Sequence, residues 1–144
     1  MQRYLSRISG PLLDRIDLHV EVTPVPFDEL STTRTAEDSS TVRRRVIQTR
    51  KIQKERFNSF PDIHCNAQMS TQLTREICQI DASGRKLLKT AIERLSLSAR
   101  AYDRILKVAR TIADMEQSES IANHHIAEAI QYRNLDRETW GGKF

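Results

Sequence analysis

Apolar and polar residues alternate strictly in only one part of this chain. In IDLHVEV (Ile16–Val22), the residues Ile16, Leu18, Val20 and Val22 fall on one side of an extended backbone. This predicts a β-strand, ended by Pro24 and Pro26. A lone strand cannot satisfy its own edges, and no second stretch alternates convincingly. Its sheet is therefore expected to come from residues outside this chain.

Beyond Ser40 the apolar period becomes helical. STVRRRVIQTRKIQKERF (Ser40–Phe57) runs without Gly or Pro behind Ser/Thr capping residues, and a narrow stripe of Val42, Val46, Thr49, Gln53 and Phe57 is its expected buried side. A short second helix is predicted over Met69–Ile80, capped by Ser70 or Thr71. Asp81 caps a third, with Leu87, Leu88, Ala91, Ile92 and Leu95 at helical spacing. A fourth starts at Ser98 and buries Tyr102, Ile105, Ala109, Ile112 and Met115. A fifth covers Ala122 to Leu135, with Ile126, Ala129 and Ile130 inward. The predicted fold class is mainly α: a helical bundle preceded by an orphan β-strand. Ser31 to Ser40, rich in Ser, Thr, Glu and Asp, reads as a linker. Residues 1–37 are expected to be looser than the bundle.

Composition narrows this picture without changing it. A chain of 144 residues can bury one ordinary core, and 38% hydrophobic with 29% charged residues fits a globular surface rich in charge. Only 4 glycines and 4 prolines are present, too few for a many-turned β fold. No apolar run is long enough for a membrane span, no secretory leader opens the chain, and Cys65 and Cys78 suggest reduced thiols rather than a disulfide framework. A cytoplasmic setting without membrane contact is the expectation. The net charge of +4 permits phosphate contact but does not demand it.

The chain holds no recognisable catalytic centre of its own. A phosphate-cradling loop needs G-x-x-x-x-G-K-[ST], and Gly10, Gly84, Gly141 and Gly142 lie in no such context. His64–Cys65 and His124–His125 lack metal-ligand spacing, because neighbours on a helix point about 100° apart; no metal site is predicted. Cys78 reads as a buried apolar residue rather than a nucleophile. Trp140, in ETWGGKF, could pack back on the bundle or belong to a tail.

Two arginines stand out. Arg15 precedes the strand in SGPLLDRIDLHVEV (Ser9–Val22). Arg100 sits in the first turn of the helix begun by Ser98, in LSARAYDRILKVARTIAD (Leu97–Asp114). A cation there opposes the helix macrodipole, at a surface cost of about 0.3–1 kcal/mol. Taken singly, Arg15 and Arg100 each fit a surface or ion-pairing residue, Arg100 as a partner for Asp103 or another acid of the bundle.

Together with NAQM (Asn66–Met69) and HIAEAIQYR (His125–Arg133), these two motifs resemble the magnesium-chelatase-like AAA+ ATPases of the ComM/YifB type, over nearly the whole chain. The resemblance is to the C-terminal part of such a protein, without the Walker A and Walker B half. It implies that residues 1–30 end the nucleotide-binding core and 31–40 link it to an α-helical lid over 41–138, with 139–144 as a tail. By resemblance, Arg15 is an arginine finger reaching a neighbouring subunit, and Arg100 is a sensor-2 arginine at the γ-phosphate. The implied intact protein is an ATPase using ATP and Mg2+ in a homo-oligomeric, hexameric ring, with DNA as a candidate partner. This chain alone would bind no cofactor and perform no catalysis. One departure is local: a glycine is expected near position 117, and Gln117 stands there.

The rival reading comes from RRRVIQTRKIQKER (Arg43–Arg56), where seven Lys/Arg face a single Glu55. Arg43, Arg44, Arg50, Lys51 and Lys54 could form a nucleic-acid stripe on a free-standing basic module. Aromatic residues are sparse there, and a charge run on a helix is usually a solvated face.

Overall fold

The computed structural model describes residues 12, 15–20, 22, 24 and 37–133. Over the described residues 37–133 five α-helices follow one another: α1 Ser39–Arg56, α2 Thr71–Ile77, α3 Ala82–Leu95, α4 Ala99–Met115 and α5 Asn123–Gln131. A 3-10 turn, Asn66–Gln68, lies between α1 and α2. The N-caps fall at residue types that suit them. Asp38 accepts from the Thr41 N–H, Ser70 from Leu73, Asp81 from Gly84 and Ser98 from Ala101. Those hydrogen bonds hold the exposed carboxyls of Asp38 and Asp81 below the ordinary value of 3.8, Thr41 being the main cause for Asp38 and the Gly84 N–H for Asp81.

Helix α4 is the axis of the bundle, touching α1, α2, α5 and the 3-10 turn, while α3 packs against α5. Its Ala101 is buried, and its Ile105, Leu106, Ala109, Ile112 and Ala113 meet Phe57, Met69, Leu73, Cys78, Leu88, Ile121, Ile126 and Ala129 in one core. The α3–α5 approach is close: a Cβ on Gly84 would lie 2.7 Å from Ile126 Cδ1.

Helix α1 departs from its predicted stripe. Thr49, Gln53 and Phe57 are buried, but Val42 and Val46 are exposed, as are all other residues from Ser39 to Gln48 except half-buried Thr41. The helix is gripped at its C-terminal half only. Met115, predicted inward on α4, is also exposed, because α4 ends there and turns away. Helix α2 stops at Ile77, short of the predicted Ile80, and the last predicted residues of α5 lie outside the described residues, as does Trp140.

Position 117 behaves as the sequence expects, without the expected residue. Gln117 takes a left-handed φ of 57°. The N–H of Ser118 donates to the Ala113 carbonyl at 2.8 Å and that of Gln117 to Asp114 at 3.1 Å, which is a Schellman stop.

Among the described residues no strand is assigned. Residues 16–20 have no regular structure, with a bend at Asp17; Ile16, Leu18 and Val20 expose their side chains, and it is His19 that is buried. Apolar side chains turned to water fit a segment whose packing partners are elsewhere. Most of residues 1–37, the segment expected to be loose, lies outside the described residues.

The bundle is joined through one buried carboxylate. Asp114, 1% exposed, accepts from Arg56 Nη1 at 2.7 Å and again from Arg56 Nη2, from Asn66 Nδ2 at 2.8 Å and from Arg110 Nε at 3.0 Å. Arg110 is itself buried, and its remaining donors reach the carbonyls of Ser118 at 2.5 Å and Glu119 at 2.8 Å. Burial lowers its pKa from the ordinary guanidinium value, and Asp114 opposes that shift.

Two stability changes are expected. Asp114→Asn leaves two guanidiniums without their counter-ion, a loss of about 3–5 kcal/mol that a denaturant midpoint would register. Gln117→Gly relieves the left-handed strain and should raise stability by about 1 kcal/mol in the same titration.

Candidate nucleotide-sensing site

Arg100 lies in the first turn of α4 and is exposed. The start of this helix is fixed by Ser98, whose hydroxyl accepts from the Ala101 N–H at 3.2 Å. The backbone donors of Ala99 and Arg100 have no acceptor within their own helix, as at any helix start. Ala101 is fully buried and anchors the turn from below. Asp103, one acid near enough to pair with Arg100, accepts from the Thr71 hydroxyl at 2.7 Å. Among the described residues Arg100 makes no ion pair. An exposed guanidinium beside outward N–H donors is chemically suited to a phosphate group.

Arg15 is also exposed, in a turn where its N–H donates to the Leu12 carbonyl at 3.0 Å. The segment that follows is fastened to the bundle. Asp17 pairs with Arg104 of α4, Arg133 donates to the Ile16 carbonyl, and the His19 N–H donates to the Tyr132 carbonyl at 2.8 Å. None of these fastening residues stood out as a site in the sequence. The hints were the position of Arg104 one helical turn after Arg100 and the place of Arg133 at the end of the motif HIAEAIQYR.

The basic run on α1 divides. Arg43, Arg44, Arg50, Lys51 and Lys54 are exposed, with Arg44 donating to Thr41 Oγ1 at 3.0 Å. Arg45 pairs with Glu37 at 3.0 Å, and Arg56 turns inward to Asp114. A groove of about 340 Å3 lies between α1 and α4 beside Arg50, walled by Val46, Gln53, Thr111 and Met115. Its lining is largely apolar and brings no acid–base pair together.

One cluster was not foreseen. His124 Nε2 and His125 Nε2 each lie 2.9 Å from Glu116 Oε2, although the residues are adjacent on α5. Their rings sit 4.0 Å apart. Three such groups could in principle hold a metal ion. The proton count speaks against it. His125 Nδ1 accepts from the Ala122 N–H at 2.9 Å, so the proton of the neutral ring is on Nε2, where a metal would have to bind. Buried His125 thus caps α5 in place of the missing Ala122 side-chain acceptor and donates to Glu116. Cys78 is equally inert as a nucleophile: burial pushes its thiol up to about 12.

With this geometry in view, comparison with known proteins identifies the chain. The family model for magnesium chelatase, subunit ChlI C-terminal, matches residues 36–133, and that for magnesium chelatase, subunit ChlI, matches residues 1–30. The chain belongs to the magnesium chelatase ChlI C-terminal family. The protein YifB of Escherichia coli, described as uncharacterized, is 42% identical over 136 residues, which is 94% of this chain and 26% of the relative. The competence protein ComM of Haemophilus influenzae is 41% identical over 138 residues, 95% of this chain and 26% of the relative. An uncharacterized protein of Mycobacterium tuberculosis is 34% identical over 132 residues, again 26% of its length. The chain therefore spans about a quarter of the length of these relatives.

Within this family member, the residues present fit the two parts of a nucleotide complex unequally. Arg100 and its helix start suit phosphate oxygens. A Mg2+ ion wants several oxygen ligands, and the Glu116 cluster lies past the opposite end of α4, about 24 Å along the axis from Arg100 at 1.5 Å per residue. Among the described residues no helix is long and apolar enough to cross a membrane.

The Glu116 cluster yields a pH prediction. Hydrogen bonds from His124 and His125 hold the Glu116 carboxyl below its ordinary 4.5. A carboxyl with a depressed folded pKa contributes stability above that ordinary value and loses it as pH falls through the folded one. Glu116→Gln is therefore expected to flatten the fall in melting temperature below pH 4.5. Unchanged acid sensitivity in thermal melts would show that the cluster contributes nothing.

Proposed function

We propose that this chain is the helical lid, with the end of the nucleotide-binding core attached, of a magnesium-chelatase-like AAA+ ATPase. The intact protein hydrolyses ATP with Mg2+ in a homo-oligomeric ring, a hexamer, in the cytoplasm. Arg100 is its sensor-2 residue: a bidentate donor to the γ-phosphate, held at the lid's helix start. Arg15 is the arginine finger, directed to the site of a neighbouring subunit, where it meets charge developing in the transition state. The Mg2+ ligands and the phosphate-cradling loop belong to the upstream half, and bound Mg·ATP supplies the phosphoryl group that water attacks.

The observation that supports this reading most directly is the state of Arg100: exposed, without an ion pair among the described residues, beside the N–H donors that open α4. The nearby acid Asp103 accepts from the Thr71 hydroxyl and is not paired with Arg100. One relative is named a competence protein, and in this reading the ring works on DNA.

A second reading draws on the exposed Arg43, Arg44, Arg50, Lys51 and Lys54 of α1. In it the bundle is a basic nucleic-acid-binding module in its own right. The two readings separate in one comparison. In the chain joined to its nucleotide-binding half, Arg100→Ala is expected to lower ATP turnover at least tenfold, about 1.4 kcal/mol in the barrier, with the fold unchanged by circular dichroism. Duplex DNA binding by the chain alone is expected to be weak. Unchanged turnover, with tight binding that falls steeply as salt rises, would instead establish the basic module.

A further inference from the structure

The segment that follows Arg15 is attached to the lid at consecutive points, and all of them use groups other than the strand's apolar side chains. The Ile16 carbonyl accepts from Arg133, a guanidinium 1% exposed just past α5. The Asp17 carboxylate pairs with Arg104. The backbone N–H of His19 donates to the Tyr132 carbonyl at 2.8 Å, and the His19 ring is buried. Ile16 is the next residue after Arg15, so these bonds fix the backbone on which Arg15 stands.

The other end of the attachment matters as much. Arg104 follows Arg100 by four residues, so both lie on one face of α4, about 6 Å apart along its axis. A displacement of this end of α4 carries both arginines together. The Asp17–Arg104 pair is also poorly placed to serve stability alone, since its side chains are 47% and 28% exposed and such pairs contribute little.

We infer that Asp17, Arg104 and Arg133 form a clamp that couples the Arg15 segment to the lid, so that the placement of Arg15 is tied to that of Arg100. This inference rests on the nucleotide roles proposed for Arg100 and Arg15. Asp17, Arg104 and Arg133 are positioning residues; none of them needs to touch nucleotide. Their effect on rate is steep, because a catalytic group displaced by an ångström loses much of its effect.

The test uses the oligomeric protein in which this chain follows its nucleotide-binding half, with Arg100→Ala as reference. Asp17→Asn and Arg104→Gln are each expected to lower kcat for ATP about tenfold, leaving KM for ATP and the melting temperature unchanged. A purely structural role would move the melting temperature instead. The charge swap of Asp17→Arg with Arg104→Asp is expected to recover most of the lost kcat. If the single variants turn over at the wild-type rate while Arg100→Ala is impaired, the site stands and the clamp is overturned. A lowered melting temperature with kcat intact overturns it too, as does a folded charge swap that recovers nothing. If Arg100→Ala itself turns over normally, the nucleotide reading fails and the clamp fails with it.

Discussion

The bundle depends on Asp114. A carboxylate has about four lone-pair directions, and here all are used: two by Arg56, one by Asn66 and one by Arg110. Each donor comes from a different part of the chain. Arg56 ends α1, Asn66 opens the 3-10 turn and Arg110 lies one turn back on α4. Arg110 then spends its other donors on the loop that leads to α5. Desolvating such charges is costly, and only complete satisfaction makes it tolerable. The same constraint explains the shape of α1. Its C-terminal half is held by Arg56 and by buried Gln53 and Phe57, while its first turns project with Val42 and Val46 in water.

How much of this was legible in the sequence follows from what kind of interaction each element uses. Local chemistry could be read. Ser70, Asp81 and Ser98 cap the helices they were expected to cap, because an N-cap needs only a side-chain oxygen within three residues of a free N–H. The stop after α4 could also be read, since a left-handed residue is required at position 117 whether Gly or Gln supplies it. The outward turn of Val42, Val46 and Met115 could not. Periodicity identifies the apolar side of a helix but not how far a neighbour extends along it.

Non-local chemistry was invisible for the same reason. The Arg110–Asp114 pair is four residues apart on one helix and could have been suspected. That Arg56 and Asn66 would reach the same carboxylate depends on how α1 crosses α4, which no spacing encodes. His124 and His125 are the clearest case. Adjacent helical residues point apart, yet both rings reach Glu116, because the carboxylate lies beyond the end of α4 and faces the first turn of α5. The motifs NAQM and HIAEAIQYR, which carried the family resemblance, acquire structural meaning here. Asn66 holds Asp114, Met69 fills the core, His125 caps α5 and Arg133 grips the Ile16 carbonyl.

Helix α4 thus has two unlike ends. Its C-terminal end is immobilised by buried charge that cannot be rearranged cheaply. Its N-terminal end exposes Arg100 above a single buried alanine, with Arg104 and Lys107 on the following turns spending their charges on other segments: Asp17 for Arg104, and the Ala67 and Met69 carbonyls for Lys107. A helix of 17 residues fixed at one end is a stiff lever. A phosphate pulling on Arg100 would not slide α4 through the core, since that would break the three bonds that Arg56 and Asn66 make to Asp114. The cheaper response is for the whole bundle to turn as a unit, carrying the Arg15 segment fastened to it. Packing that looks purely structural therefore gives the proposed sensor its reach.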